Sequence, residues 1–371
     1  MKQKFYNIEN LLSKKADYNL LLGERSNGKS YSVKETVLWE AYNELDYYEF
    51  LQGNKVEKQR YQFAYLRRWR EEIRARDVEL YFDDMDIAKI TGGEFESVKC
   101  YRNDIFLVHK EDDKEVASKK VGACFCLTGV QHYKSLAFPK IGNVIFEEFI
   151  TNQGYLGHEA TSLSDIISTI ARRDYVRVFM IGNTINRLCP YFTEWELSHV
   201  KDQKQGTIDI YSHHTDQVTE QGEQVVVTIA VEFCANSGNN SKMFFGQRSK
   251  MITSGEWESA NYPHLPRPAN TYKVKYSIYY KYSQYAYLID LIGDNGERFL
   301  YVHQAPNEVP IDVKRVVTDG FTTDKHTTFY LTALTRYDTI IIDLINQHKI
   351  YFADNLTGTE FWQIKKERGC F

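Results

Sequence analysis

Apolar residues come in short runs through the first half of the chain. "YNLLL" at 18–22 is followed by a polar loop, after which Val33, Val37, Ala41 and Leu45 recur at every fourth position, with Leu38 widening the stripe. The run predicts a buried strand and the period predicts an amphipathic helix. "YQFAYLRR" (61–68), "VGACFCL" (121–127), "NVIFEEF" (143–149) and "VRVFMIGN" (176–183) repeat the strand-length pattern, separated by loop or helix-like segments. Such alternation predicts a parallel sheet covered by helices. Between the second and third runs, "SVKCYRNDIFLVHK" reads as a hairpin turning at Asn103-Asp104.

The pattern changes after about His199. "GTIDIYSHH" and "EQVVVTIAVEF" precede a polar, glycine-bearing stretch, and "NYPHLPRPAN" then packs three prolines into ten residues, a linker signal. Beyond it, "YKVKYSIYYKY", "QYAYLIDLIG" and "RFLYVHQ" predict an antiparallel meander, followed by helices near 338–348 and 357–366. Three regions are therefore expected: 1–207, a linker or lid over 208–268, and 269–371.

Composition narrows the class. A chain of 371 residues with 43% hydrophobic and 26% charged positions suits a soluble protein of two or three domains. No segment approaches the roughly 18 apolar residues of a membrane span, so no membrane partner and an intracellular location are expected. The six cysteines lack zinc-site spacing and are expected to be free thiols. A formal net charge of −4 argues against coating nucleic acid over the whole surface. A local groove is still open, because "KVEKQRYQFAYLRRWREEIRAR" (55–76) gathers basic residues around aromatic ones; a solvated face balanced by Glu57, Glu71 and Glu72 is the alternative.

The loop after the first strand carries specific chemistry. "GERSNGKS" at 23–30 has the phosphate-loop spacing of two glycines, lysine and a hydroxyl residue. Gly23 and Gly28 let the backbone curl with its amides inward, and the helix N-terminus faces the phosphates. ATP with Mg2+ is the expected ligand pair: Lys29 would reach the outer phosphates and Ser30 the metal. Hydrolysis further requires an acid near the metal and a group that activates water. "NVIFEEF" offers Glu147 for the first and Glu148 for the second, although a strand leaving a sheet could also end in two glutamates for solubility. Asn183, ending "VRVFMIGN", is placed to sense the terminal phosphate, or is a plain turn residue.

"LLGERSNGKS", "LTGVQHYKSLAFPKIGNVIFEEF", "ARRDYVRVFMIGNT" and "IYFADN", in that order, resemble the DNA encapsidation ATPases of small podophages, relatives of the terminase large subunits. The resemblance spans most of the chain and holds only in outline across 208–267. It implies an α/β P-loop NTPase domain of the additional-strand, catalytic-glutamate type with a parallel sheet, a small linker or lid, and an RNase H-like α+β C-terminal domain. It further implies a homomeric ring, commonly a pentamer, docked on the portal of an empty capsid in the host cytoplasm and driving double-stranded DNA inward; a structural RNA is a further candidate partner.

By position, the resemblance makes Gly23, Glu24, Arg25, Ser26, Asn27, Gly28, Lys29 and Ser30 the Walker A loop, Glu147 and Glu148 the Walker B pair, and Asn183 the coupling residue. Where the family usually has aspartate this chain has Glu147, which keeps charge and ligand type but lengthens the side chain. Arg172 or Arg173 corresponds to an arginine acting on a neighbour's site, Arg70 to a second basic position facing a neighbour, and Lys134 to a position at the DNA channel. Arg25 could act in cis.

An RNase H-like nuclease holds metals with clustered carboxylates. The first strand of this domain supplies only lysine, serine and bulky residues, and Asp354 alone cannot hold two metals, so no nuclease activity is expected. Alternation puts Val274, Tyr276, Ile278 and Tyr280 on one face of that strand and Lys273, Lys275, Ser277 and Lys281 on the other, a basic face open to DNA, portal or RNA. Competing expectations are a nucleotide-gated DNA-binding switch, a terminase large subunit with active nuclease, and, least supported, a small-molecule kinase.

Overall fold

The computed structural model describes residues 6–368, apart from 113, 152–153, 173, 185–187, 201, 219–221, 236–259, 283–284, 295, 307, 311–312, 314, 319–326 and 330–334. The chain divides into two compact units, Met1–Trp257 and Glu258–Phe371.

The first unit is built on a nine-stranded sheet. Its strands are β1 (Tyr18–Leu22), β2 (Gln62–Arg67), β3 (Ser97–Tyr101), β4 (Asp104–Glu111), β5 (Lys114–Cys126), β6 (Ile141–Glu147), β7 (Arg177–Ile181), β8 (Thr207–Val218) and β9 (Gln224–Phe233), in the order β3-β4-β5-β2-β6-β7-β1-β9-β8. From β5 to β9 every neighbouring pair is parallel, and antiparallel strands close both edges. Central strands are apolar throughout because both faces are covered. Leu21, Tyr65 and Ile145 pack on the face of α1 (Lys29–Asn43), while Leu20, Leu22, Ala64, Leu66, Val144 and Phe146 pack with Leu163, Ile166 and Ile170 of α3 (Glu159–Ala171). Helix α2 (Ala75–Phe82) lies between β2 and β3 in sequence.

Three expectations change here. Val33, Val37, Leu38 and Ala41 form the buried stripe of α1, but the helix ends at Asn43 because Glu44 adopts a left-handed conformation (φ 59°), and Leu45 bridges to Glu57 instead. The hairpin turns at Arg102 and Asn103, both at positive φ (50° and 67°), one residue earlier than expected. The expected boundary at 207/208 falls inside the sheet: β9 pairs in parallel with β1 over Ile229–Phe233, and β8 covers its free edge.

The second unit holds a six-stranded sheet of β10 (Lys273–Tyr282), β11 (Tyr285–Asp294), β12 (Glu297–Gln304), β13 (Arg315–Thr318), β14 (Thr327–Phe329) and β15 (Ile350–Phe352), ordered β14-β13-β10-β11-β12-β15. The meander β10–β12 is antiparallel as expected, while β13, β14 and β15 join in parallel. Helices α4 (Arg336–Asn346) and α5 (Asn355–Arg368) follow. The proline-rich stretch is tied into this unit: the Tyr262 amide donates to Asn355 Oδ1 at 3.0 Å and the Phe352 amide to the Pro263 carbonyl at 2.9 Å.

Candidate nucleotide-binding site

In a parallel sheet the residues leaving the carboxyl ends of neighbouring strands share one crevice. Here β1 delivers the 23–30 loop, β6 delivers Glu147 and Glu148, β2 delivers Arg67 and Arg68, and β7 delivers Gly182 and Asn183. The loop needs its glycines. Gly23 has φ 143° and lies so close to the chain that a Cβ would meet the Cys234 carbonyl at 3.3 Å, and Gly28 caps α1 at φ 98°. Arg25 and Ser26 are exposed, whereas Glu24 and Asn27 are buried.

Lys29 is buried, and its ammonium donates to the Glu24 carbonyl and to Asn27 Oδ1. Burial lowers its proton affinity, and the neighbouring Cys234, Glu147 and Glu24 side chains oppose the fall. Ser30 Oγ donates to Glu147 Oε1 at 2.6 Å, and the Tyr81 hydroxyl of α2 donates to Glu147 Oε2 at 3.1 Å. Burial raises the Glu147 carboxyl's proton affinity, while these two hydrogen bonds oppose the rise. A serine hydroxyl and a carboxylate side by side are hard oxygen donors of the kind Mg2+ takes, so the residues present fit that ion.

Glu148 stands differently. Its backbone is left-handed (φ 56°), its side chain is 59% exposed, and its Oε2 accepts from Arg67 at 2.8 Å; the same Arg67 nitrogen donates to Glu72. Arg68 fixes the backbone beneath it. Its guanidinium donates to the carbonyls of Glu148 (3.1 Å) and Phe149 (2.9 Å) and forms a two-pronged pair with buried Glu159 at 2.8 Å for each contact. The Tyr191 hydroxyl donates to Glu159 at 2.9 Å. Buried Arg68 and Glu159 thus hold the turn on which Glu148 sits, a geometry that bidentate pairing makes rigid.

The remaining sequence candidates scatter. Asn183 lies between Gly182, whose amide donates to the Leu21 carbonyl, and Thr184, whose amide donates to the Gly23 carbonyl, and is thereby held beside the loop. Arg172 caps the end of α3, ahead of the start of β7 and so by the amino ends of the strands, opposite the crevice, where it donates to the Leu136 carbonyl at 2.6 Å. Arg173 lies outside the described residues. Arg70 is exposed in the turn after β2, and Lys134 forms a surface pair with Asp165 at 3.2 Å.

In the second unit Asp354 is occupied as a helix cap, accepting from the Thr357 amide and hydroxyl. A carboxylate that sequence reading passed over lies centrally instead: Asp290 of β11 accepts from Ser277 at 2.5 Å and contacts His303 Nε2 at 3.0 Å. The supposed basic face is not uniformly open, because buried Tyr279 shares it and donates to the Pro306 carbonyl; on the other face Val274, next to a register shift, is exposed. Among the described residues no cluster of three or more His, Cys, Asp or Glu could hold a metal, and no helix is long and apolar enough to cross a membrane. The five described cysteines are free.

Arg67, Arg68, Tyr81 and Glu159 were missed from sequence. The two arginines lie in the basic stretch 55–76 and signalled only charge; nothing local marks the tyrosine or the glutamate.

The chain resembles known phage DNA packaging proteins in sequence and fold. The chain is 29% identical over 200 residues to the DNA packaging protein of Bacillus phage phi29, covering 53% of this chain and 51% of that protein. It is 27% identical over 183 residues to that of Bacillus phage B103, covering 48% of each. These alignments span about half the length of the curated relatives. A chain in the solved bacteriophage Phi-29 viral genome packaging motor assembly has a similar fold, with a TM-score of 0.55 and 19% identity over 98% of this chain and 99% of that one. Residues 1–215, more than half of the sequence, match the profile described as Podovirus DNA encapsidation protein (Gp16), and the chain belongs to that family.

Proposed function

We propose that the chain is an Mg2+-dependent ATPase that drives double-stranded DNA into an empty viral capsid through its portal, acting as a homomeric ring. The observation that carries this reading is the meeting of buried Lys29, the Ser30–Glu147 pair at 2.6 Å and the exposed Glu148 at the carboxyl ends of neighbouring parallel strands. Lys29 would exchange its loop contacts for the outer phosphates, and Glu148 would accept the proton of the attacking water. To act as a base, Glu148 has to leave its ion pair with Arg67. Mg2+, held by Ser30 and Glu147, would supply electrostatic stabilisation of the transferring phosphoryl oxygens.

The position of β7 between β1 and β6 supports the additional-strand, catalytic-glutamate class. The relatives called DNA packaging proteins support a role on DNA. Asn183 would sense the terminal phosphate, exposed Arg70 with Arg172 or Arg173 would reach a neighbouring subunit, and Lys134 would contact the DNA backbone, which grips without regard to sequence. Three antiparallel strands with β13 and β14 added in parallel beside β10 support an RNase H-like second unit. We read that unit as lacking nuclease activity; metal-dependent nicking of DNA by the purified protein, abolished by Asp290→Ala or Asp354→Ala, would overturn this. The location that follows is the host cytoplasm and then the portal vertex, with a structural RNA as a candidate partner.

The reading is tested by ATP hydrolysis measured with empty capsids and DNA, each omitted in turn; a motor hydrolyses fastest with both. Lys29→Ala is expected to weaken ATP binding by about 10- to 100-fold, the scale of a lost charge-assisted hydrogen bond. Equilibrium binding of a fluorescent ATP analogue measures it, and unchanged affinity would remove the phosphate-loop assignment.

A further inference from the structure

We propose that Tyr81 is a positioning residue for the metal site: its hydroxyl fixes the Glu147 carboxylate and so sets how much Mg2+ nucleotide binding requires. The inference rests on the nucleotide reading above. Glu147 presents two oxygens, and each has one donor, Ser30 to Oε1 at 2.6 Å and Tyr81 to Oε2 at 3.1 Å. Together they pin the rotation of the carboxylate. Glutamate has one more rotatable bond than aspartate, so an unpinned side chain would lose more conformational freedom on binding a metal.

Tyr81 is itself held, and from the same helix that carries Ser30. Its ring stacks on Tyr65 of β2 with centroids 4.6 Å apart. Lys34, four residues after Ser30 and therefore one turn along α1 on the same side, donates to the Tyr81 carbonyl at 2.7 Å, lies 4.6 Å from the ring centroid, and pairs with Asp84. One helix thus supplies the donor to one carboxylate oxygen directly and anchors the donor to the other. Hydrogen-bond partners of metal ligands orient those ligands, and their loss typically weakens metal affinity.

A buried tyrosine hydroxyl also needs a partner simply to be satisfied, so the test separates positioning from packing. In the full-length protein, binding of a fluorescent ATP analogue is titrated with Mg2+. Tyr81→Phe is expected to raise the half-saturating Mg2+ about fivefold, the scale of one hydrogen bond, with the metal-free affinity for the nucleotide unchanged. Tyr65→Phe, which trims the neighbouring ring, should not move the Mg2+ requirement. On a Glu147→Asp background, where the carboxylate is drawn back by one methylene from the Tyr81 hydroxyl, Tyr81→Phe should add nothing. An unchanged Mg2+ requirement in Tyr81→Phe, with or without a lowered thermal midpoint, overturns the proposal, as does an equal shift in Tyr65→Phe. If wild-type protein shows no Mg2+-dependent binding, or Lys29→Ala binds as tightly as wild type, the nucleotide reading itself fails and takes this proposal with it.

Discussion

Replacing Glu148 with glutamine is expected to slow ATP hydrolysis by about 10²- to 10⁴-fold, the usual contribution of a positioned general base, while ATP is still bound. The two acids after β6 are chemically distinct, and that difference carries the expectation. Glu147 points inward to Ser30 and Tyr81, the place proposed above for a metal ligand. Glu148 points outward on a left-handed turn, 59% exposed, with Arg67 as its charged partner. Glutamine keeps the size of the side chain and can still touch Arg67, but cannot accept a proton from water. Single-turnover hydrolysis compared with equilibrium nucleotide binding separates the two effects. Wild-type hydrolysis in Glu148→Gln would assign the base elsewhere, and loss of binding would mean that the turn had collapsed.

Which parts of this site were legible in the sequence follows from how far apart its residues lie. The 23–30 loop is contiguous: Gly23 and Gly28 are called for by positive φ, and Lys29 and Ser30 follow at the phosphate-loop spacing, so the motif can be read from the sequence alone. Glu147 and Glu148 follow an unbroken apolar strand, and the change from buried to polar marks the sheet edge. The groups that orient these acids are remote: Tyr81 is 66 positions from Glu147, Arg67 is 81 from Glu148, and Arg68 is 91 from Glu159. The parallel pairing of β2 with β6 brings the two arginines to Glu148, and α2, stacked on β2 through Tyr81 and Tyr65, brings Tyr81 to Glu147; no periodicity records which elements become neighbours.

The misplaced boundary at 207/208 has a related cause. Along β8 exposed and half-buried positions alternate, the pattern of a strand with one wet face, and this separated it from the apolar strands before it. The last five residues of β9 are buried, and those residues pair with β1. A sheet edge and a separate lid have the same sequence signature when the edge strand faces solvent. In the second unit the meander was legible, but Asp290 was not, because it lies in an apolar strand and its polar partners, Ser277 and His303, come from the strands on either side.

Glu40→Gln is expected to destabilise the first unit by about 3–5 kcal/mol, the range found when one partner of a buried ion pair is removed. Glu40 is fully buried on α1 and accepts from Lys58 at 2.8 Å, Arg177 at 2.7 Å, Asn143 at 2.7 Å and the Tyr47 amide at 3.0 Å. Asn143 begins the register of β6 with β7 and Arg177 begins β7, so this network joins the helix behind the phosphate loop to the two strands that carry Glu147 and Asn183. Glutamine retains the shape but leaves the buried Arg177 charge without its counterion. Acid separates charge from shape. Burial alone would raise the Glu40 carboxyl, but Arg177 and Lys58 together outweigh it and hold it at about 2. A depressed carboxylate stabilises the fold above its unfolded value near 4.3, and that contribution is lost as pH falls through the folded value. The stability gap between wild type and Glu40→Gln should therefore be full at pH 7 and smaller by roughly 1.7 kcal/mol at pH 3. Urea unfolding of both proteins at the two pH values measures it; a gap independent of pH would mean that packing, rather than the ion network, fixes the start of these strands.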